Sequence, residues 1–411
     1  MSTLLISIFR RIVRQGRLKI TDWRGRAAEL GDGKGALIAV RLTDAGAGRA
    51  LLTNPQMALG ELYMDGRLVL ESGTIVDLLD LLMRNIGQSS GPGHIALWAT
   101  LKRLARPLTR RNWRLRAQQN VAHHYDLTPA FYDLFLDSDR QYSCAFFESP
   151  SDTIEQAQQN KKRRIAAKLA LKPGHTVLDI GSGFGGLGLH LAQHHGAQVT
   201  GITLSKEQLA IARARASDAG LSTQAQFALR DYRDTAGPFD RIVSVGMFEH
   251  VGVKDYGAYF AAVARLLKDD GVALVHSIGR ADGPGVTNPW IAKYIFPGGY
   301  TPALSEVLPV IEQAGLMVTD IEILRLHYAM TLVQWRERFM ASRDKAVALY
   351  DERFARMWEF YLAGAEMGFR HQGLMVFQIQ LAKRVDALPI VRDYMMPSVA
   401  AAPVPVMQPA A

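Results

Sequence analysis

The clearest pattern in the chain is an alternation of short apolar runs with helix-length stretches between residues 176 and 324. The runs are rich in Val, Ile and Leu, which is typical of strands that are buried on both faces. The predicted strands are 176–180, 198–204, 224–231, 239–247, 271–278 and 317–324. Helices are predicted to follow three of them, reaching about 195, running through 219 and covering about 256–267. This alternation predicts an α/β fold built on a parallel sheet.

The first part of the chain has a different pattern. Residues 1–16 predict a short amphipathic helix, because apolar residues at helical spacing stand beside three arginines; the apolar positions are Leu4, Leu5, Ile8 and Ile12. Such a helix either lies in a membrane interface or docks on its own domain, and the sequence favours neither. Residues 17–53 predict strands with Gly-rich turns, and residues 55–85 predict helix. Together they indicate a small α+β domain.

Residues 94–116 form the most basic stretch, with seven Lys or Arg residues, no acidic residue, and Trp98 and Trp113 interleaved. An anionic lipid surface would attract them by roughly 1 kcal/mol for each basic residue close to the bilayer. Nucleic acid is a second interpretation, and a solvated linker helix is a third. The residues themselves leave the three open.

These shifts divide the chain into domains. Residues 153–170 predict one more helix, and the last residues are rich in Ala and Pro, which is typical of disorder. We predict an N-terminal α+β domain with its basic linker, a main domain and a disordered tail, over 1–116, 117–396 and 397–411 respectively. A chain of 411 residues is also long enough for two cores.

Composition narrows the class of protein. Hydrophobic residues make up 48% of the chain and charged residues 21%, which are globular values. A net charge of +9 indicates an anionic partner. A single cysteine, Cys144, excludes an intramolecular disulfide, argues against a zinc site and fits a reducing compartment. No apolar run approaches the roughly 20 residues of a membrane-spanning helix, so we expect a soluble or peripheral protein.

The segment VLDIGSGFGG raises the question of a cofactor. Gly181, Gly183 and Gly186 match G-x-G-x-x-G between a strand and a helix, which by itself is also compatible with NAD. No Gly-Lys-Ser/Thr follows, so the segment is not a Walker loop. Asp179 and Gly185 extend the motif to D-x-G-x-G-x-G, and a carboxylate at this place can reach the amino group of a methionine moiety.

Residues after the next two strands agree with this interpretation. Asp231 can accept a hydrogen bond from an adenine amino group, with Tyr232 against the ring. The second strand does not end in the acid that usually binds the ribose hydroxyls, so Thr203 and Gln208 would do so as neutral partners. These residues favour S-adenosylmethionine, and a dinucleotide cofactor is the alternative.

Candidate chemistry lies at the same edge of the predicted sheet. Glu249 and His276 follow or close neighbouring strands, and Tyr328 comes just after the following one. Taken alone, the glutamate is equally typical of a salt bridge or a helix cap, and the histidine is typical of a hydrogen-bonded core position. Together, beside a cofactor loop, they indicate a functional site. His123 and His124 are equally compatible with surface roles, and no ligand spacing for a metal is present.

The chain resembles the cyclopropane-fatty-acyl-phospholipid synthases, a family of S-adenosylmethionine-dependent methyltransferases. The matching segments, in family order across about 121–380, are HHYDLTPAFYDLFLD, YSCAFF, VLDIGSGFGG, ITLSKEQL, RDYRD, GMFEHVG, LVHSIG, PWIAKYIFPGG and HYAMTL. The segment NPQMALGELYMDG, at 54–66, is similar to the N-terminal part of longer family members. The resemblance implies a Rossmann-like class I methyltransferase domain with a parallel-rich seven-stranded sheet. Two departures are Ser182, which replaces a cysteine common in the glycine loop, and Ala365, which excludes a thiol in a late helix.

The resemblance also implies the site residues. The cofactor contacts would be Tyr142, Ser143, Gly181, Gly183, Thr203, Leu204, Gln208, Asp231 and Tyr232, to which the glycine motif adds Asp179 and Gly185. A bound bicarbonate ion would be held by the backbones of Cys144 and Ile278 and by the side chains of Glu249, His276 and Tyr328.

The implied reaction adds a methylene to the cis double bond of a phospholipid acyl chain. Methyl transfer would leave a carbocation in a dry pocket, with Phe147, Tyr294 and Phe296 as candidate aromatic faces, and bicarbonate would remove the proton that closes the ring. The expected partners are unsaturated phospholipids, preferably anionic, and no nucleic acid is expected to bind. The enzyme would be cytoplasmic and would associate with the inner face of the membrane. The family also implies a homodimer, for which the residues themselves give no indication.

The alternative functions are a sister methyltransferase that yields a methyl or methylene branch, a non-catalytic lipid-binding protein and a dinucleotide oxidoreductase.

Overall fold

Two separate β-sheets organise the protein in the computed structural model, which describes residues 3–87 and 127–396. The predictions for the basic stretch 94–116, for His123 and His124 and for the tail 397–411 lie outside the described residues. Within the described ranges, no helix is both long enough and apolar enough to cross a bilayer. The same ranges contain no cluster of three or more side chains that is suited to a metal ion.

The N-terminal part combines a four-stranded sheet of order β2-β1-β3-β4 with four helices. Its elements are α1 Thr3–Ile12, β1 Arg17–Thr21, β2 Ala27–Gly31, β3 Leu37–Leu42, α2 Ala45–Thr53, α3 Pro55–Met64, β4 Leu68–Ser72 and α4 Ile75–Gly87. The expected α+β mixture is present, but two local predictions are wrong. Residues 45–53 form a helix because Asp44 caps it by accepting from the Gly46 and Ala47 amides. Residues 68–72 form a strand because pairing with β3 outweighs local helix propensity.

The amphipathic helix α1 docks on its own domain. Leu5 is buried, and Phe9 and Ile12 pack against the same core, next to α2 and α4. The arginines of this helix lie on its exposed side, together with Leu4. The structure thus favours the second of the two roles that the sequence left open for this segment, since most of its apolar face is already covered.

The second sheet has seven strands in the order β10-β11-β9-β8-β5-β6-β7. The strands are β5 Thr176–Ile180, β6 Gln198–Thr203, β7 Ala225–Leu229, β8 Phe239–Val245, β9 Leu267–Arg280, β10 Met317–Ile323 and β11 Leu374–Ala382. Six of them run in the same direction, and β11 is antiparallel to both of its neighbours. The α/β class and the parallel-rich sheet are confirmed. The strand prediction omitted β11, although it is almost wholly buried.

Helices cover both faces of this sheet and extend beyond it. They are α5 Pro129–Tyr132, α6 Ile154–Lys168, α7 Gly186–His195, α8 Lys206–Asp218, α9 Tyr256–Leu266, α10 Pro289–Tyr294, α11 Leu304–Gln313, α12 His327–Ala341, α13 Arg343–Leu349 and α14 Glu352–His371. The four helices predicted between residues 153 and 267 are confirmed in place and approximate length.

The N-terminal part packs against α10 and α14. Gly60 lies so close to Trp290 that a Cβ at this position would stand 2.4 Å from the indole nitrogen. Glu61 accepts hydrogen bonds from Lys293 Nζ and from Tyr294 Oη, both at 2.7 Å. A single cluster of buried apolar side chains contains residues of both regions, so the two sheets share part of their core.

Candidate active site

A cavity of about 180 Å³ opens where β5, β6 and β8 end and the loop after β7 begins. Ligands of open α/β sheets bind at this edge. The cavity is lined by ten of the eleven residues predicted to contact the cofactor: Tyr142, Ser143, Asp179, Gly181, Gly183, Thr203, Leu204, Gln208, Asp231 and Tyr232. The exception is Gly185, the N-cap residue that precedes α7, which packs against Ala212 and Phe227.

The glycine loop has a backbone that other residues rarely adopt. Gly181 and Gly183 have φ values of +83° and +54°. A Cβ on Gly181 would stand 2.9 Å from Met247 Cβ, whereas a Cβ on Gly183 would meet no atom of the described residues within 4 Å. The backbone at Gly183 therefore borders open space, which is the close approach to a ligand that the motif predicted.

Asp179, the last residue but one of β5, lies in the cavity wall with only 2% of its surface exposed. Burial raises the pKa of its carboxyl to about 7, and the nearby Lys161 ammonium opposes this shift. Its Oδ2 atom has no hydrogen-bond partner among the described residues. A buried carboxylate oxygen of this kind is costly unless a donor reaches it. The residue therefore fits the ammonium group of a methionine moiety.

Hydrogen bonds to neighbouring side chains position the residues that were predicted to bind the ribose and the adenine. Thr203 Oγ1 donates to Gln208 Oε1 at 3.1 Å and accepts from the Ser205 amide at 3.1 Å. The Asp231 carboxylate accepts from both Nε and Nη2 of Arg233, at 2.8 and 2.6 Å, and the Arg233 guanidinium lies 5.5 Å from the centre of the Tyr232 ring. The predicted polar contacts are thus held by side-chain hydrogen bonds at the cavity wall.

Lys161 also lines the cavity, although it is not among the residues predicted from the sequence. The residue is 1% exposed, and its ammonium donates to Ser143 Oγ and to Gln141 Oε1, both at 2.8 Å. Burial lowers the pKa of Lys161 to about 8, opposed by Asp137 and other nearby anionic groups. This residue stands in the run NKKRR, which resembles a solvated basic face. The signal was the helical spacing of Lys161 from the buried Ile165 and Lys168.

Glu249 lies just behind the cavity wall, in the one-turn helix Phe248–His250. Its Oε1 accepts from the Ile278 amide at 2.6 Å, while its Oε2 is buried without a hydrogen-bond partner among the described residues. The nearby Ser277 hydroxyl donates to the Ile278 carbonyl, and its interaction with Glu249 lowers the pKa of that carboxyl. Burial raises the pKa of Glu249 to about 7, and the Ile278 amide opposes this rise. The side chain therefore offers one buried oxygen to a donor.

His276 and Tyr328 accompany this glutamate. His276 is 2% exposed on β9, two residues from Ile278, so the two side chains leave the same face of the strand. Burial lowers the pKa of His276 to about 3, so the ring is neutral. Burial also raises the pKa of Tyr328 well above its usual value, and neighbouring Tyr361 and Glu249 add to this rise.

Cys144 is buried beside the same group. Its Sγ donates to the Ala145 carbonyl at 3.3 Å, and burial raises the pKa of the thiol far above its ordinary range. A thiol that stays protonated is neither a nucleophile nor a metal ligand. The Ile278 amide, which was predicted to face bicarbonate, is already bonded to Glu249. The site thus has two sets of residues: a first set that lines the cofactor cavity, and a second set formed by Cys144, Glu249, His276 and Tyr328. The two sets adjoin along the chain, because Ser143 and His250 line the cavity and are the neighbours of Cys144 and Glu249.

Aromatic rings surround the second set. The Tyr328 ring lies 4.9 Å from that of Phe369 and 5.8 Å from that of Trp335, measured between centroids. Among the three aromatic candidates, Phe296 faces Tyr361 at 5.8 Å. Phe147 is buried near His327, and Tyr294 is bonded to Glu61. Phe296 is thus the best placed of the three.

The sheet, the glycine loop and the buried aspartate define a class I S-adenosylmethionine-dependent methyltransferase. The mycolic acid cyclopropane synthetase family matches residues 113–379, and the chain belongs to this family. It is 38% identical to the cyclopropane-fatty-acyl-phospholipid synthase of Escherichia coli K12, over 82% of this chain and 86% of that protein.

Other relatives agree. A probable fatty acid methyltransferase of Pseudomonas putida is 38% identical over 89% of this chain and 92% of its own. The solved structure of mycolic acid cyclopropane synthase CmaA1, complexed with SAH and CTAB, superposes with a TM-score of 0.61 at 34% identity, covering 64% of this chain and 97% of that chain. The identification as an S-adenosylmethionine-dependent methyltransferase is therefore confirmed.

Proposed function

We propose that this enzyme converts cis double bonds of phospholipid acyl chains into cyclopropane rings, with a bound bicarbonate ion as the base. The observation that carries the proposal is the set of groups behind the cofactor cavity. Glu249 presents a buried oxygen without a hydrogen-bond partner among the described residues, and Tyr328 is close enough for the glutamate to raise its pKa. The neutral His276 lies on β9, two residues before the Ile278 amide that donates to Glu249.

The chemistry of the residues that line the cavity indicates which part of S-adenosylmethionine each of them would contact. Asp179 and the open backbone at Gly183 would hold the methionine part, Thr203 and Gln208 the ribose, and Asp231 the adenine amino group. When bound, S-adenosylmethionine supplies a methyl group on a sulfonium, an electrophile strong enough for an alkene. The chain itself supplies orientation and an acceptor for the ammonium group, since each of these residues faces the cavity.

The groups around Glu249 fit a small oxyanion that also carries a proton. A carboxylate oxygen can only accept, so Glu249 Oε2 needs a donor such as the hydroxyl of bicarbonate. His276 and Tyr328 can donate to the remaining oxygens. Two full negative charges side by side would be costly, and the shared proton avoids that cost. When bound, bicarbonate would supply a base that is active at neutral pH.

The protein must also keep water from a cationic acyl chain. Tyr328, Trp335, Tyr361 and Phe369 are all buried around the second set of residues. Aromatic faces stabilise a nearby cation by about 0.5–2 kcal/mol each, and a dry wall prevents its capture by water. Apolar walls of this kind next to the cofactor cavity would favour an olefin over a polar methyl acceptor.

We further propose that the enzyme meets its lipid at the inner face of the membrane. Support comes from the net charge of +9 and from the basic stretch 94–116, to which anionic lipid would bind. In a homodimer, two such stretches would strengthen docking through avidity.

A sister reaction that stops at a methyl or methylene branch is the second candidate function. It is favoured by the resemblance to the probable fatty acid methyltransferase of Pseudomonas putida.

Turnover in buffer freed of carbon dioxide tests the bicarbonate proposal. We expect methyl transfer to unsaturated phospholipid vesicles to fall in depleted buffer and to return when bicarbonate is added. Glu249→Gln replaces the accepting oxygen pair by an amide and should lose turnover by about 100-fold or more, with unchanged calorimetric affinity for S-adenosylhomocysteine.

Glu148→Gln provides the control, because this glutamate pairs with Arg163 in an exposed position far along the chain from Glu249. It should leave both turnover and affinity unchanged. Full activity of the wild-type enzyme without bicarbonate would contradict the proposal. Equal losses of turnover and cofactor affinity in Glu249→Gln would also count against it.

A further inference from the structure

A row of polar side chains crosses the large sheet behind the proposed bicarbonate site. Glu322 on β10 stands directly opposite Gln378 on β11, and Gln378 stands directly opposite His276 on β9. Directly opposite residues project from the same face, so the three side chains form one continuous line. Gln378 and His276 are 1% and 2% exposed. Buried polar side chains among apolar strands need hydrogen-bond partners, so each donor in this row must face an acceptor.

The direction of these hydrogen bonds is set by a lysine. Lys168, at the end of α6 and 2% exposed, donates from Nζ to Gln378 Oε1 at 2.7 Å. An ammonium group has only donors, so the carbonyl oxygen of the amide must face it. The amide nitrogen of Gln378 then faces His276 Nδ1 at 3.0 Å. Since Gln378 Nε2 donates, Nδ1 of the neutral ring accepts, and the ring proton lies on Nε2.

The lysine is itself held in place. Glu322 binds the Lys168 ammonium and also accepts from Arg164, at 2.6 Å through Nη2 and at 2.9 Å through Nε. Arg164 and Lys168 are one helical turn apart, so both reach the same carboxylate. The row thus runs from a partly exposed ion pair to the buried imidazole.

We propose that Lys168 and Gln378 are positioning residues that fix His276 as the Nε2–H tautomer. The ring then acts as a donor toward the oxyanion and has no lone pair on Nε2 that could compete with it for a proton. The proposal rests on the function proposed above for His276. It makes a separate claim, however, because the tautomer is set in the protein itself and is present without cofactor or bicarbonate.

Nitrogen NMR of the full-length protein labelled with ¹⁵N-histidine tests this proposal directly. Long-range proton–nitrogen correlations distinguish a ring nitrogen that bears hydrogen from one that does not, and the His276 signals are those lost in His276→Gln. Without ligands, wild-type His276 should show a bare Nδ1 and a protonated Nε2. In Gln378→Met the tautomers should mix, and kcat should fall by about 10-fold or more while KM for S-adenosylmethionine stays unchanged. In Gln378→Glu, Nδ1 should gain the proton.

Gln380→Met is the matched control, since Gln380 is equally buried two residues further along β11. Its side chain binds the Lys168 carbonyl and the Tyr394 hydroxyl, and not His276. This variant should lose stability but retain the His276 tautomer. A protonated Nδ1 in the wild type, or an unchanged tautomer in Gln378→Met, would overturn the proposal. Failure of bicarbonate to affect turnover would refute the proposed function and leave the tautomer result standing, so the two are distinguishable.

Discussion

Asp179 offers a sharp test because its charge is useful for binding and costly for folding. The pKa of this carboxyl rises from 3.8 to about 7 on folding, chiefly through burial. At 1.36 kcal/mol for each pKa unit, the buried carboxylate costs about 4 kcal/mol of stability at pH 8 as an upper bound. Because the folded pKa is raised, the stability contributed by the protonated form is fully present below pH 4. It is lost as the pH rises through 7, with about 2–3 kcal/mol lost between pH 5 and pH 8.

Asp179→Asn removes this charge and keeps the shape. The apo variant should be more stable than wild type at pH 8 by about 1–3 kcal/mol, since an unsatisfied buried amide offsets part of the gain. Its pH dependence should be correspondingly flatter, and its affinity for S-adenosylhomocysteine should fall by about 100-fold through loss of a charge-assisted bond. Urea unfolding at pH 5 and pH 8, together with titration calorimetry, measures both effects.

Asp240→Asn is the control with the opposite sign. Asp240 accepts from Thr176 and Lys268, and these contacts hold the pKa of its carboxyl well below its usual range. Its contribution to stability is therefore present at neutral pH and lost on acidification, so this variant should be less stable than wild type at pH 8. If Asp179→Asn is also destabilised at pH 8 and binds the cofactor product normally, the reasoning about this cavity is refuted.

Three further substitutions test other parts of the account. Lys161→Met removes the buried ammonium that donates to Ser143 Oγ, and calorimetry should show affinity for S-adenosylhomocysteine reduced by about 10-fold or more; an unchanged affinity would contradict a role for it in the cavity. Cys144→Ala should keep kcat within about threefold of wild type, because burial keeps the thiol protonated; a loss of turnover like that of a missing nucleophile would disprove this. Glu61→Ala breaks the bond to Tyr294 Oη and should lower the free energy of unfolding in urea by about 1 kcal/mol, whereas no change would show that this contact between the two parts of the chain is not stabilising.

The sequence predicted the elements whose stability is local or whose pattern is strongly periodic. The parallel strands, the glycine loop and the position of Glu249 just after a strand follow from apolar runs and glycine spacing. His276 was expected to close its strand, but β9 continues to Arg280 because it pairs with β11 as far as that residue. The strand 68–72 could not be predicted in this way, because its stability comes from pairing with β3. Likewise β11 is far from its partners in sequence, and its two glutamines disguise a buried strand.

The polar residues inside the molecule were the hardest to predict. Lys161 and Lys168 look like parts of a solvated charge run, yet both are buried on the inner face of α6. Their burial depends on acceptors supplied by distant segments, such as Ser143 for one and Gln378 for the other. Periodicity shows which residues share a helix face, but it does not show which distant side chains satisfy them.

The most direct test of the central claim is the fate of the transferred carbon. Vesicles of unsaturated phospholipid should be incubated with the enzyme and with S-adenosylmethionine carrying ¹³C in its methyl group, and the acyl chains then examined by mass spectrometry and carbon NMR. The account predicts a gain of one CH₂ with the label in the methylene of a three-membered ring. A label in a methyl or exocyclic methylene branch, or no label in the lipid at all, would contradict it.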